Sequence, residues 1–585
     1  MSENDGEHIM DLISDNFFNW VLGICVVNFD IDLGQTVEKV YPHSLELTEA
    51  EKSVIAYSSF PDSHCSAIGD TSFHFRFRSS SVNKFINRNE ALFEDFPLNL
   101  KPTPYYCYAY VYFRQHKDLS LKRNYMQKSI VILSMFPFKE LFFKVVEIIA
   151  PLFYQNGDVL LQTISLEISK WPKPCTDRSL CLPIIGFLMT IFIPRNISVT
   201  GGQEKLKDEL FQNHLADENS GFEVVKHSNI KLNYEIICNI DYPLSGMNEK
   251  DGIDNKNAAN DRFMLSILKP IIFQLHNIWE IAITGQPLLV HTYGPRDCST
   301  IVDLIVNSIA PLRYNGEYRP FFTIHDSDYR DFTMTTVSLT SFPIILGVTN
   351  PFFIKSLGHW PNLLSLVKEK PDLDALKFLT RPASTFQEPY QPGLFSQGKF
   401  DLKKVTNFNN FLKILIDSNI SQLCLSQRIK DFFSELTRQF LFPLEVPKMK
   451  HLLLKDFLKF YSDNKSKTRS NYFWIQGNVK NLYERFWSTS HFTGWIANSE
   501  DRLQGQINQT FAEKLSSLNL HLYLIDKKCS ELEMVDILIH LKSVHRKVLA
   551  GSLPLSQEQK QRLHDHIMIL HSKFPSDLKD SIMKI

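Results

Sequence analysis

The stretch Arg319–Trp360, RPFFTIHDSDYRDFTMTTVSLTSFPIILGVTNPFFIKSLGHW, decides the fold class because its apolar runs and polar turns alternate in a strand–loop–strand–helix order. Phe321–Ile324 predicts a short apolar strand that runs into the charged loop His325–Asp331. Ile344–Val348 predicts a second, buried strand. Asn350 is a candidate helix N-cap and Pro351 the first helical residue, where a missing N–H costs nothing. Two strands then end side by side and display HDSDYRD and TNPFF on one sheet edge. In open α/β sheets, ligands and partners bind at that edge.

Around this stretch, residues 180–370 read as one α/β region. Its other predicted strands are Leu182–Ile193, Lys231–Ile240 and Pro287–His291, and its helices Phe263–Ile283, Thr300–Ala310 and Pro351–Leu357. Residues 245–261, SGMNEKDGIDNKNAAND, are nearly devoid of apolar side chains and predict a disordered insertion. Upstream, residues 17–170 predict the order β-β-α-β-β-β-α. Trp20–Phe29 and Thr36–Tyr41 are strands, and Thr48 with Glu51 makes a capping box that opens a helix. In Ser72–Arg78 the side chains Phe73, Phe75 and Phe77 face one way and His74, Arg76 and Arg78 the other. Tyr105–Arg114 and Lys128–Ser134 are strands joined by the basic segment Gln115–Gln127, and Phe138–Tyr154 is a helix. Downstream, residues 371–404 are rich in Pro, Ser and Gln and read as a linker. Residues 405–585 lose most strand signals. Gln422–Phe442, Leu452–Tyr461, Val479–Trp487 and Glu531–Leu549 carry helical spacing instead. The fold class is therefore α/β plus all-α.

A chain of 585 residues with 44% hydrophobic and 22% charged side chains is long enough for roughly three to five domains with ordinary cores. Its formal net charge of -1 gives no sign of nucleic acid as a principal partner. No apolar run approaches the roughly 18 residues of a membrane span. The amino terminus, MSENDGEHIMDLISDN, is acidic and lacks the pattern of a signal peptide. Nine scattered cysteines with no C-x-x-C suggest a reducing compartment. A cytoplasmic protein, peripheral to a membrane, is the expectation.

Reaction chemistry is hard to find. Gly393–Phe400, GLFSQGKF, comes within one residue of a phosphate-binding loop. Phe400 replaces the hydroxyl that would hold magnesium, and no strand of a βαβ unit precedes it. Asp326 and Asp328, with His325 alongside, could share a cation, but no further ligands follow at recognisable spacing, and such residues are ordinary loop material. His291, at a strand end, reads as structural. Trp474, Trp487 and Trp495 read as core anchors. The basic segment Arg114–Lys128 is either a solvated hairpin or a contact for an acidic surface or phosphate. No cofactor, metal or catalytic residue is expected.

Several motifs, in order, resemble DENN-domain proteins and specifically the DENN domain-containing protein 6 family. They are GICVVNFDIDLGQTVEKVYP, SFPDSHCSAIGDTSFHFRFR, YVYFRQHKDLSLKRNYMQKSIVILS, LPIIGFLM, FTIHDSDYRDFT and ILGVTNPFFIKSLGHWP, and the likeness covers about residues 17–570. The short amino-terminal tail, residues 245–261 and residues 371–400 depart from it. The resemblance implies a longin-like α/β sandwich module, a central α/β DENN lobe with a mainly parallel sheet, and a helical carboxy-terminal lobe. It also implies guanine-nucleotide exchange on a Rab-family small GTPase at recycling endosomes, with the GTPase between the longin module and the central lobe. Exchange breaks no covalent bond, which accounts for the missing triad and metal site. Within the matching motifs, Asp326, Asp328, Tyr329, Asn350 and Phe352 are candidate GTPase contacts on the central lobe. On the longin side the candidates are Arg114, Gln115, Lys122, Arg123 and Gln127. Two other readings remain: a GTPase-activating protein using Arg123 or Arg114 as an arginine finger, and a non-catalytic scaffold.

Overall fold

A computed structural model gives the structure of the chain and describes residues 16–61, 69–93, 95–117, 125–194, 237–243, 267–334, 343–367, 392–405, 423–441, 444, 475–518, 520, 530–549 and 555–574. The apolar run after Trp20 forms β1 (Gly23–Asp30), whose first five residues are buried on both faces, as a central strand requires. Strands β2 (Gly34–Tyr41), β3 (Thr71–Arg78), β4 (Tyr106–Lys117) and β5 (Tyr125–Ser134) complete an antiparallel sheet in the order β2-β1-β5-β4-β3. The predicted capping box forms: Thr48 accepts the Glu51 amide and Glu51 the Thr48 amide, opening α1 (Glu49–Ser58). A short α2 (Val82–Arg88) follows β3. Helix α3 (Lys139–Asn156) buries Leu141, Val145 and Ile149 and leaves Ile148 partly covered. A second helix, α4 (Asp158–Ser169), extends the predicted order and follows directly after Gly157, whose φ of 66° favours glycine.

Two features depart from the sequence expectations here. The strand predicted at Leu182–Ile193 is a hairpin, β6 (Ser179–Ile184) and β7 (Phe187–Phe192), with β8 (Ile237–Pro243) alongside β7. Its two-residue turn has φ of 43° at Ile185 and 76° at Gly186. Asn or Asp is the usual signal at the first position, and Ile hides the turn. The joint between β4 and β5 is also shorter than predicted, because the ladder continues to Lys117 opposite Tyr125. Gln115 and Gln127 are therefore paired strand residues, while Lys122 and Arg123 lie outside the described residues.

The second sheet has the order β10-β11-β9-β12-β13. Strands β9 (Leu288–His291), β10 (Glu317–Arg319), β11 (Ile344–Val348) and β12 (Asn362–Ser365) run parallel, and β13 (Gly393–Ser396) is an antiparallel edge. The strand predicted at Phe321–Ile324 lies earlier, because Pro320 has no N–H to continue the ladder. The near-phosphate loop begins with β13, so its first residues are sheet. Together with β14 (Leu402–Val405), β13 places two strands inside the segment read as linker. Helix α5 (Leu275–Ile283) precedes β9. Helix α6 (Pro295–Asn307) starts five residues before the predicted Thr300, because Gly294-Pro295 supplies a Pro at the first turn. Short helices α7 (Tyr329–Thr333) and α8 (Phe352–Ser356) follow β10 and β11. The expected insertion 245–261 lies outside the described residues, as do Leu452–Tyr461 and Trp474.

Among the described residues helices dominate the rest: α9 (Leu423–Leu441), α10 (Val479–Trp487), α11 (Ser490–Ser517), α12 (Glu531–Leu549) and α13 (Gln557–Lys573), with one strand, β15 (Ile475–Gly477), on β14. Trp487 and Trp495 both pack on Phe492. The buried Trp279 donates its N–H to Thr437 at 2.9 Å, and buried Glu280 meets Arg485 and the amides of Asp401 and Leu402. The chain divides into two units, one ending at Trp495 and a second that contains residues 496–585. Within the second, α12 and α13 bury Leu538, Leu541, Leu563 and Leu570 against one another.

Candidate partner-binding site

The polar face of β3 is covered at His74 and Arg76, which a charged strand face rarely is. His74 Nε2 lies 3.2 Å from Asp303 on α6, and Arg76 donates to the Tyr318 carbonyl at 3.3 Å. Tyr106 donates to Glu317, and the Tyr108 and Tyr318 hydroxyls are 2.7 Å apart. Phe73 packs edge-on against Phe321 at 5.5 Å. The two sheets are thereby locked into one body. Burial alone would raise the Asp303 pKa, but His74 and Lys139 outweigh it and hold the carboxyl down at about 2.

The loop after β10 is folded inward. Arg319 is fully buried and pairs with Glu317, Asp326 and Asp328, and Arg78 reaches Asp328 at 3.1 Å. Burial alone would lower the Arg319 pKa, yet these three carboxylates outweigh it, so the guanidinium stays charged. The acidic loop expected to be exposed thus turns both of its first carboxylates into the protein. They already hold a cation, the guanidinium, where a metal pair was weighed. Asp326 also accepts the Asp328 amide at 2.9 Å, a turn that leads into α7. Phe322 anchors the loop by donating its N–H to Gly347 at 2.7 Å and packing on Phe332 and Phe353.

The edge beyond this buried layer presents other groups. Tyr329 and Phe352 are both half-buried, and each packs edge-on against Phe353. Asn350 accepts the Phe352 amide at 3.0 Å, but the helix starts at Phe352 with Pro351 at its N-cap, one residue later than the sequence predicts. His325 stacks on Tyr57 of α1 with ring centroids 3.7 Å apart. Beside it Ile324 is 45% exposed. On the first sheet, the β1–β2 turn exposes Ile31 and Leu33, the latter by 74%, and a Cβ added at Gly34 in that turn would lie 4.0 Å from the Tyr57 hydroxyl. The Tyr57–His325 stack thus joins α1 to the loop after β10, with exposed apolar residues adjacent in the chain to His325 and to Gly34.

The other candidates lie elsewhere. Arg114 grips Asp70 in a two-pronged pair at 2.6–3.1 Å and lies 4.5 Å from the Tyr154 ring. Gln127 donates to Gln115 at 3.2 Å. Arg114 is eight residues along β4 from Tyr106, about 26 Å of strand, so this hairpin end is well separated from the Glu317 cluster. Sequence reasoning missed Arg76, Arg78, Glu317 and Arg319 as the fastening that fixes the edge. The signal was the match of three carboxylates in Glu317–Asp328 to cations alternating along β3.

What these elements define is a protein of joined α/β sheets and helices, its first two sheets fastened through a buried layer of charged and aromatic side chains. Residues 21–168 match the family model described as transport protein Avl9. The chain is 31% identical to protein DENND6A of Gallus gallus, over 97% of this chain and 94% of that one. It is 29% identical to protein DENND6B of Homo sapiens, over 96% and 93%, and 28% identical to the DENND6 homolog of Dictyostelium discoideum, over 94% and 80%. The chain belongs to the DENND6 family.

Proposed function

We propose that this protein is a guanine-nucleotide exchange factor for a Rab-family small GTPase in endosomal recycling traffic, acting at recycling endosomes. The observation that carries this reading is the stack of His325, in the loop after β10, on Tyr57 of α1, with exposed Ile324 next to His325 in the chain and exposed Leu33 next to Gly34, which approaches the Tyr57 hydroxyl. The order β2-β1-β5-β4-β3 with two following helices supports a longin-like module over residues 17–170, and the mainly parallel second sheet supports a DENN lobe over 180–370. The helices after residue 405 support a carboxy-terminal helical lobe. The GTPase binds across the first two modules, with Tyr329, Asn350 and Phe352 as contacts on the second and the Arg114, Gln115 and Gln127 hairpin as a further contact on the first. Lys122 and Arg123 belong to that hairpin in the sequence. Asp326 and Asp328 act through Arg319 by holding the loop. The membrane is reached through the GTPase; no helix among the described residues is long and apolar enough to cross one.

Exchange requires contacts that favour the nucleotide-free GTPase over the GDP-bound form. Apolar groups on a rigid edge can supply that difference by holding the switch segments open. The Arg114–Asp70 pair argues against Arg114 as an arginine finger. The test follows labelled-GDP release and GTP hydrolysis separately across a Rab panel. Faster release with unchanged hydrolysis is expected for one Rab or a small group. Faster hydrolysis alone would establish the activating alternative, and binding without either change the scaffold. Leu33→Asp and Ile324→Asp should each slow stimulated release at least tenfold without loss of folding, because both side chains are exposed.

A further inference from the structure

A cavity of about 290 Å³ opens where β3 and β4 face α6 and the start of β10, and its lining includes His74, Arg76, Tyr108, Lys139, Arg313 and Tyr318. That is room for roughly ten waters, at the lower end of ligand-pocket size. Its basic side chains are unequally matched. Lys139 lies 3.3 Å and His74 3.2 Å from Asp303. Arg76 lies 3.8 Å from Glu317 and stacks at 3.6 and 4.0 Å over the Tyr106 and Tyr318 rings. Arg313 donates only to the Thr103 hydroxyl, at 2.7 Å, and pairs with no carboxylate among the described residues. The neighbouring cluster has none to spare, since Glu317, Asp326 and Asp328 are balanced by Arg76, Arg78 and Arg319.

We propose that this cavity binds a small oxyanion, a phosphate monoester or a carboxylate, on Arg313. A guanidinium has five donors in a fork that matches either group with two parallel bonds, and Arg313 uses one. Burial lowers the pKa of this guanidinium, the mark of a cation set in the protein without a counter-charge. The wall also carries the carboxylates Glu140, Asp303 and Glu317, of which Asp303 is held by His74 and Lys139 and Glu317 by Arg76 and Arg319, and the buried Tyr314 hydroxyl has no hydrogen-bond partner among the described residues. Because the two sheets supply opposite walls, an occupant stabilises their junction, and binding registers as thermal stabilisation.

The full-length protein is titrated with inorganic phosphate, glycerol phosphate and citrate at matched ionic strength, following the unfolding midpoint and the heat of binding, with chloride as control. A saturable rise in midpoint with the phosphates or with citrate is expected, and none with chloride. Response to phosphates alone assigns a phosphate site, and response to citrate alone a carboxylate site. Affinity should fall at least tenfold in Arg313→Gln and stay unchanged in Lys52→Gln, whose exposed side chain pairs with Glu49 on α1 outside the cavity. Arg313→Lys, which keeps the charge and loses the fork, gives the same comparison should the Gln variant fail to fold. No saturable effect with any probe, or an equal effect in the Arg313 variants, would overturn the proposal.

Discussion

Arg319 holds the loop after β10 in shape, because its buried charge is tolerable only while Glu317, Asp326 and Asp328 surround it. Removing one partner of a buried ion pair typically costs about 3–5 kcal/mol. Asp328→Asn should therefore lower unfolding free energy by about that amount in urea titrations, and Ser327→Ala, between the two carboxylates but exposed, by little. A second residue-level expectation concerns His491, whose imidazole burial pushes down to about 4 and whose Nδ1 accepts the Asn315 amide. In the unfolded chain its pKa is about 6.5, so between those values the unfolded state binds the extra proton. Stability is full above pH 6.5 and falls as pH drops towards 4, by roughly 3 kcal/mol for this group. Unfolding measured at pH 7 and 4.5 should show a smaller loss in His491→Asn, which keeps an acceptor and cannot titrate. The cationic residues of β3 and the acidic residues after β10 were visible in the chain. Their mutual burial was not, because the order of charges along a strand does not reveal what covers its face.

At the level of elements, β11 depends on Gly347. A Cβ there would lie 2.5 Å from the Pro320 carbonyl and 2.6 Å from Cys298 Sγ, closer than packing allows. Gly347→Ala must push β10 or α6 outward and should cost about 1–3 kcal/mol, read as a lower denaturation midpoint. It should also weaken partner binding, since Phe322 is anchored to the Gly347 carbonyl. Elements with strong periodicity or caps were legible: β11 at Ile344–Val348, α10 at Val479–Trp487 and α12 at Glu531–Leu549 lie where their spacing predicts. The hairpin at Ile185–Gly186 was not, because a β-branched residue at positive φ carries no turn signal. Strand β10 was displaced for a different reason: apolar Phe321 and Phe322 are core anchors past the end of the ladder, and the paired residues are the charged Glu317 and Arg319.

Over the whole molecule, the division into α/β and helical parts could be read from where period-two and period-3.6 patterns change. How the first two sheets fasten together could not, since that joint rests on pairs more than 200 residues apart, such as His74–Asp303 and Arg76–Glu317. This fastening gives the exchange reading its physical basis: a rigid edge shared by two sheets can prefer one conformation of a partner. The most direct test of the proposed exchange activity is the affinity of the protein for each Rab of the panel in two states, nucleotide-free and GDP-loaded, by titration calorimetry or interferometry. Moving such an equilibrium almost fully requires a preference of about 10⁴-fold. The predicted result is a nucleotide-free complex tighter by about that factor and dissociated by added GDP or GTP; equal affinity for the two states would contradict it.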